Sequence, residues 1–493
     1  MNNILITLSL ILILNNAIHS QDDFYSLQNL IKKENLLNTV TLLTSNEFDG
    51  RLAGSEGYNR ASEFMAGEFS KLGLKPLGSD SYFQHLTVEY NKIDTPVVFN
   101  LWQDGVVKQY ELGKDFIFRG FSGSGNLKSK VVFCGYGISD SNSGYDDYKD
   151  VNVKGKIVIV FKQSPHWTID NKGWSKTLPR EKSIVAANHG AKGILFVSLP
   201  NDDKPQPLIG SILHGEGEQL LDFPQLQISI ETADELLAGT GYALHEVQSK
   251  IDSLQKPFSF NLHSKVQVEV TAHYNKSART QNVVGMIEGT DSLLRNEFIV
   301  IGGHLDHVGS QGNLVLFPGA NDNASGSAGV LEIARAFVNG KIKTKRSVIF
   351  VLFASEEQGL FGSKFFVDNP PFPLKNITAM LNLDCVGYGD SIQVGNGKSS
   401  PNLWQIARGL DKDFTKMMIE NTWNGGGADA APFHEKGIPA LYFVTKNSYA
   451  HLHLPTDKVE TLNGDLYERT VNLAFLTAVK IANGYYKKET VLP

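Results

Sequence analysis

The sequence predicts an α/β fold, a three-layer sandwich with a mixed, largely parallel sheet covered by helices on both faces, plus an inserted β-rich module. Two textures carry the prediction. From Gln281 to the C terminus, apolar strand-like runs alternate with helical patterns; from Gln84 to about Phe260, short β-rich runs are separated by turns. The length of 493 residues, well above the roughly 100–200 of one domain, leaves room for both.

In the alternating part, strands are expected at 283–287, 298–301, 347–353, 377–383 and 440–444, with helices at 327–339, 359–366, 401–410 and 462–483. Chemistry in such sheets belongs at the C-terminal ends of strands. Ahead of the β-rich part, apolar spacing predicts helices over 23–44 and 57–72, separated by the Gly-punctuated stretch Phe48-Asp49-Gly50-Arg51-Leu52-Ala53-Gly54, whose Asp49-Gly50-Arg51 reads as a solvated turn, with the lining of a site as the alternative. Within the β-rich part, strands are expected at 88–90, 97–102, 131–135, 156–161 and 193–197, with one helix at 181–189. His166 and His214 stand alone there and read as surface residues.

Composition narrows the function classes. Hydrophobic residues at 41% and charged residues at 20% are ordinary for a globular chain, and a net charge of -6 gives no reason to expect a nucleic-acid partner. The apolar run Ile4–Leu14, followed by Ala17, Ser20 and acidic Asp22-Asp23, reads as a signal peptide cut after Ser20. It is shorter than the ~20 residues of a spanning helix, so export is expected, periplasmic or secreted, without stable membrane insertion. Cys134 and Cys385 both lie in apolar runs and read as buried free thiols; two cysteines are too few for a cysteine-ligated zinc site.

Four expected strands end in metal-type ligands. Gly302-Gly303-His304-Leu305-Asp306-His307 offers an imidazole at His304, with Asp306 placed to accept its other ring N–H; His307 competes for the ligand role. Gly319-Ala320-Asn321-Asp322-Asn323-Ala324-Ser325-Gly326 puts a carboxylate in a small-residue loop ahead of a helix, where Asp322 either caps the helix or bridges two ions, with Asn323 or Ser325 free to cap. Asn323-Ala324-Ser325 also matches a glycan acceptor, a match read as accidental. Ser355-Glu356-Glu357 can divide labour, one glutamate binding metal and the other taking a proton from water. Asp384 closes an otherwise apolar strand, which is expensive unless it is paired or meets a cation. A fifth contribution comes from His451-Leu452-His453-Leu454-Pro455-Thr456-Asp457, where spacing leaves His451 and His453 open and Asp457 is close enough to anchor a ligand. Two imidazoles and three carboxylates without thiolate suit zinc, and five ligands suit two ions sharing one carboxylate.

The motifs HLDHVG, GANDNASG, FASEEQGLFGS, LNLDCVG and HLHLPTD, in this order and spacing, resemble those of the co-catalytic di-zinc aminopeptidases, relatives of aminopeptidases S and Y and bacterial leucyl aminopeptidases. The resemblance runs from about Gln281 to the C terminus and includes the Asp49–Gly54 loop. It implies two Zn2+ ions, with His304 and Asp384 on one, Glu357 and His453 on the other, and Asp322 on both. It implies Glu356 as general base toward a metal-bridging hydroxide, Asp306 as the orienter of His304, and peptides as substrates. Where many relatives carry Ser-Asp-His, this chain reads Gly427-Ala428-Asp429-Ala430-Ala431-Pro432-Phe433; it keeps Asp429 and Phe433, expected to bind substrate, and lacks the His.

The segment from Cys134-Gly135-Tyr136-Gly137 through Tyr145–Val158, with Ala186–Ile194, resembles the protease-associated domain, which accompanies peptidases as an access module. The implied organisation is a signal peptide at 1–20, a catalytic domain split over 21–112 and 263–493, and an inserted protease-associated domain at 113–262. The expected function is an exported metallo-aminopeptidase. The alternatives are a glutaminyl cyclase or acidic-peptide carboxypeptidase of the same fold, or a non-catalytic peptidase-like ectodomain.

Overall fold

The structure, a computed structural model, describes residues 26–103, 105–213 and 217–492. The expected signal segment, 1–20, and His214 lie outside the described residues. Among those described, no helix is long and apolar enough to cross a membrane.

The half with alternating strands and helices is built on the strand order 392–395, 440–445, 377–383, 298–304, 347–353 and 259–287. The four central strands, Ala440–Thr445, Ile377–Leu383, Phe298–His304 and Ser347–Phe353, are mutually parallel, and the strands at either side run antiparallel to them. Their continuous apolar runs are those of strands buried on both faces, and the side chains alternate accordingly. Ile299, Ile301, Val348, Phe350, Leu352, Leu441 and Phe443 face one core, under the helices Lys33–Leu43, Glu56–Lys71, Gly326–Asn339 and Gly464–Ala482. Val300, Ile349, Val351, Phe353, Tyr442 and Val444 face the other, under Phe361–Asp368 and Ala430–Glu435.

Two long antiparallel strands, Phe83–Gln103 and Ser259–Ile287, run from this sheet into the outer module. The expected pair 88–90 and 97–102 is therefore one strand of 21 residues. The reason is a bulge: Val97 pairs with Val270 and Asp94 with Thr271, so Thr95 and Pro96 stand out of the ladder without ending it. The module's own strands, Gly125–Cys134, Ile157–Phe161, Gly193–Val197 and Gln225–Ile228, continue the sheet in parallel. Its core draws Phe99, Leu101, Val266 and Val268 from the long strands. Cys134 and Cys385 are buried free thiols.

The module is seated on the alternating half by specific contacts. Gln311 accepts from the Phe118 N–H at 2.9 Å and donates to the Phe118 carbonyl at 2.6 Å. Ile212 packs against Val308 and Phe317, and the Gly210 N–H donates to the His453 carbonyl at 2.7 Å.

Candidate metal centre

Five backbone segments deliver polar side chains to one buried cluster above the parallel strands. His304 is the last residue of its strand; Glu356 and Glu357 follow Ser347–Phe353; Asp384 follows Ile377–Leu383; Asp322 lies in the turn Ala320–Ser325 before its helix; His453 lies beyond Ala440–Thr445. His304 Nε2 is 3.4 Å from both Asp322 Oδ1 and Asp384 Oδ1. On the other side of the same carboxylate, His453 Nε2 is 3.2 Å from Asp322 Oδ2 and 2.9 Å from Glu357 Oε2. The donors form two groups, His304–Asp322–Asp384 and His307–Asp322–Glu357–His453, and Asp322 belongs to both.

The turn carrying Asp322 is fixed by its neighbours. Asp457 Oδ1 and Oδ2 accept from the Asn321 and Asp322 N–H groups at 2.9 and 3.0 Å. Asp457 was expected to anchor the histidine; it anchors the Asp322 backbone instead, because the loop turns its carboxylate toward those donors. Asn321 Oδ1 accepts from the Gly387 and Tyr388 N–H groups, and its amide donates to the Ser448 carbonyl. Asn323 Oδ1 accepts from the Gly326 N–H at 2.8 Å, which caps the helix and leaves Asp322 free of that duty. Asn323 is wholly buried, so the glycan-acceptor match has no accessible side chain.

Arg51 is also wholly buried, and its guanidinium donates to the carbonyls of Leu305, Leu43, Pro318 and Gly319 at 2.6–2.9 Å. The Asp49–Arg51 stretch is thus no solvated turn. It is packed under the cluster, where Gly50 meets Gly309 so closely that a Cβ would lie 2.2 Å from the Gly309 carbonyl oxygen. Burial lowers the Arg51 guanidinium to about 10, against the pull of Asp457, Asp322, Asp306 and Glu357.

Asp306 does a different job from the expected one. The Nδ1 of His304 meets the Asp306 backbone carbonyl at 3.1 Å, whereas its distance to the carboxylate is 3.8 Å, too long for a hydrogen bond. The carboxylate accepts from the N–H groups of Glu356 and Glu357 at 3.1 and 3.3 Å, so it sets the two glutamates while the backbone sets the imidazole tautomer. Burial raises the Asp306 carboxyl to about 7.

Crowded acids in a largely buried site divide sharply. Burial, and then the charges of Glu357, Asp429 and Asp384, push Glu356 well above the usual carboxylate range, with His304 pulling the other way. Burial works against ionised Asp322 too, but His304 and His453 outweigh it and hold Asp322 well below that range. Burial opposes protonation of His304, yet Glu356, Asp384 and Asp322 raise it well above an ordinary imidazole.

Of the two residues expected to bind substrate, Asp429 lies wholly buried near this cluster, raised to about 7 by burial. Phe433 is a core residue rather than a substrate contact: it is wholly buried on the short helix Ala430–Glu435, its ring 5.9 Å from Phe366 and 6.1 Å from Phe353. Of the two C-terminal histidines, His453 reaches Asp322 and Glu357, while His451 pairs with Thr456 Oγ1 at 2.9 Å. Sequence reasoning left the roles of Arg51 and Tyr442 unread; Tyr442, an apolar-looking strand position, donates its hydroxyl to Asp384 Oδ2 at 3.1 Å. The alternation that faces Tyr442 away from the main core was the available signal.

The residues fit a pair of divalent cations. Asp384 Oδ1 is buried without a hydrogen-bond partner among the described residues and is aimed at His304 and Asp322. A carboxylate oxygen left so is costly unless a cation meets it. The nitrogen and oxygen donor set suits zinc.

Comparison with known proteins finds relatives of the segment that carries this centre. Residues 282–478 match Peptidase family M28. The chain is 26% identical to the aminopeptidase YwaD of Bacillus subtilis over 223 residues, 43% of this chain and 47% of that protein. It spans about half the length of the first curated relatives it matches. Across nearly the whole chain it shares the fold of an aminopeptidase from Aneurinibacillus sp. strain AM-1, at TM-score 0.64 and 20% identity, covering 95% of this chain and 97% of that one. It likewise shares the fold of BSAP, a zinc aminopeptidase from Bacillus subtilis, at TM-score 0.61 and 19% identity, covering 94% and 98%. The matched segment holds every donor of both groups, so the centre lies in the part of the chain that is similar to Peptidase family M28.

Proposed function

We propose that this chain is an exported di-zinc metallo-aminopeptidase that removes N-terminal residues from peptides. The observation that carries the reading is Asp322, one carboxylate with an oxygen in each of two donor groups, beside a glutamate, Glu356, that belongs to neither. The names of the relatives support aminopeptidase activity and zinc. Export is read from the apolar run Ile4–Leu14.

Two zinc ions held by His304, Asp322 and Asp384 and by Asp322, Glu357 and His453 would acidify a water and polarise the scissile carbonyl. The chain's own residues supply the rest. Glu356 Oε2, 4.0 Å from His304 Nε2, takes the proton of the attacking water and delivers it to the leaving amine. Burial and the neighbouring carboxylates raise its proton affinity, which favours taking up the proton it must carry. Asp306 keeps Glu356 and Glu357 in register through their N–H groups, and Tyr442 holds Asp384. Asp429, an acidic group buried near the cluster, suits a neighbouring substrate ammonium better than a substrate carboxylate. Arg51, the buried cation next to the cluster, is committed to four backbone carbonyls and does not serve a C-terminal carboxylate, which weighs against the carboxypeptidase alternative.

The test is turnover on a panel of free and N-blocked aminoacyl-anilides. Cleavage of the free forms only, abolished by chelation and restored by zinc, is expected. Hydrolysis of blocked substrates, or cyclisation of N-terminal glutamine without hydrolysis, would replace the reading.

A further inference from the structure

His307 stands at the second donor group, and the reaction above gives it no role. Its Nδ1 lies 2.8 Å from Glu357 Oε1 and 3.7 Å from Asp322 Oδ2, and its ring meets that of His453 edge to face at 5.4 Å. The side chain is wholly buried, and Nε2 has no hydrogen-bond partner among the described residues, so the ring's polar contacts converge on the cluster through Nδ1. The ring is held there from behind. The His307 N–H donates to the Arg51 carbonyl at 3.1 Å, and Gly319, at φ +60°, leaves it room: a Cβ at 319 would lie 2.5 Å from the ring Cδ2.

We infer that His307 Nδ1 is a fourth protein ligand at this position, which makes the two metal positions unequal. One offers four donors, His307, Asp322, Glu357 and His453; the other offers three, His304, Asp322 and Asp384. Four nitrogen and oxygen donors close a tetrahedral zinc site, whereas three leave a place for water or substrate. The four-donor position therefore fills first and empties last, and the three-donor position carries the exchangeable ion. This inference rests on the di-zinc reading.

The competing role is a hydrogen bond alone, Nδ1–H donating to Glu357, and His307→Asn separates the two because its amide N–H can still donate to Glu357 while its side chain is a poor zinc ligand. Zinc is titrated into metal-free wild type and His307→Asn by calorimetry. Wild type is expected to take up two equivalents in separate steps. In the variant the tighter step weakens by more than ~100-fold, beyond the roughly 10–100-fold that loss of a supporting hydrogen bond produces. A variant that titrates like wild type overturns the inference and leaves the hydrogen bond. Wild type that binds no zinc overturns the di-zinc reading itself. A readout independent of the variant's folding is proton NMR of cobalt-loaded wild type. Two shifted imidazole N–H resonances are expected at one equivalent, from His307 and His453, and a third, from His304, at two; a single resonance at one equivalent contradicts the assignment.

Discussion

Arg51 is the residue whose loss tests most sharply how the cluster is supported. Arg51→Met keeps much of the aliphatic bulk and removes donors to four carbonyls, those of Leu305, Leu43, Pro318 and Gly319. A buried carbonyl left unpaired costs roughly 1–3 kcal/mol, so four give a gross loss of roughly 4–12 kcal/mol. Against this, the variant escapes the cost of burying a charge. Burial that lowers the guanidinium to about 10 marks that cost at about 3 kcal/mol. The net expectation is a destabilisation of roughly 1–9 kcal/mol, with the lower half favoured if water enters. Two of the carbonyls belong to Pro318 and Gly319, just before the turn that carries Asp322, and the Arg51 backbone also receives the His307 N–H. Zinc affinity should therefore fall together with stability. The assay is denaturant unfolding of metal-free protein, with zinc titration of the variant below its unfolding midpoint. A loss below about 1 kcal/mol, within the range of ordinary surface substitutions and small defects, would refute the reasoning.

Three further outcomes follow from the same geometry. Glu356→Gln should retain two zinc equivalents while turnover falls roughly 10²–10⁴-fold, and normal turnover would remove Glu356 from its role. Gln311→Ala leaves the Phe118 N–H and carbonyl unpaired where the outer module meets the catalytic half, and should cost roughly 2–6 kcal/mol by denaturant unfolding; an unchanged midpoint would show that water replaces the side chain. Burial, with Arg119 nearby, lowers the Lys162 ammonium to about 6, so between about 6 and 10.5 the unfolded chain holds a proton that the folded chain lacks. Stability from this group thus rises with pH through that window and is lowest below about 6. Lys162→Met should melt higher than wild type at pH 7, with the gap narrowing by about pH 9.5; a gap independent of pH would contradict the linkage.

Much of the fold was legible because its strands announce themselves. Ser347–Phe353 and Ile377–Leu383 fall where continuous apolar runs predict them, since strands buried on both faces need no alternation. The cluster was legible for the complementary reason: a carboxylate or imidazole closing an apolar strand has to meet something, and His304, Glu357 and Asp384 do so at neighbouring strand ends. Direction was not legible. Spacing could not say that His307 turns into the cluster, that His451 turns toward Thr456, or that the Asp306 carboxylate holds backbone N–H groups. The runs 88–90 and 97–102 read as two strands because a ladder interruption and a bulge share a signature in sequence. Phe433 looked like a specificity residue, and only three-dimensional packing against Phe353 and Phe366 shows it to be core. Arg51 could not be read at all, since its four acceptors come from segments up to 268 residues away.

The central claim is that one carboxylate, Asp322, is shared by two metal ions. Anomalous diffraction from zinc-grown crystals, recorded on either side of the zinc edge, tests it directly. Two peaks are predicted, one among His304, Asp322 and Asp384 and one among Asp322, Glu357, His453 and His307. A single peak, or a second peak away from Asp322, would contradict the account.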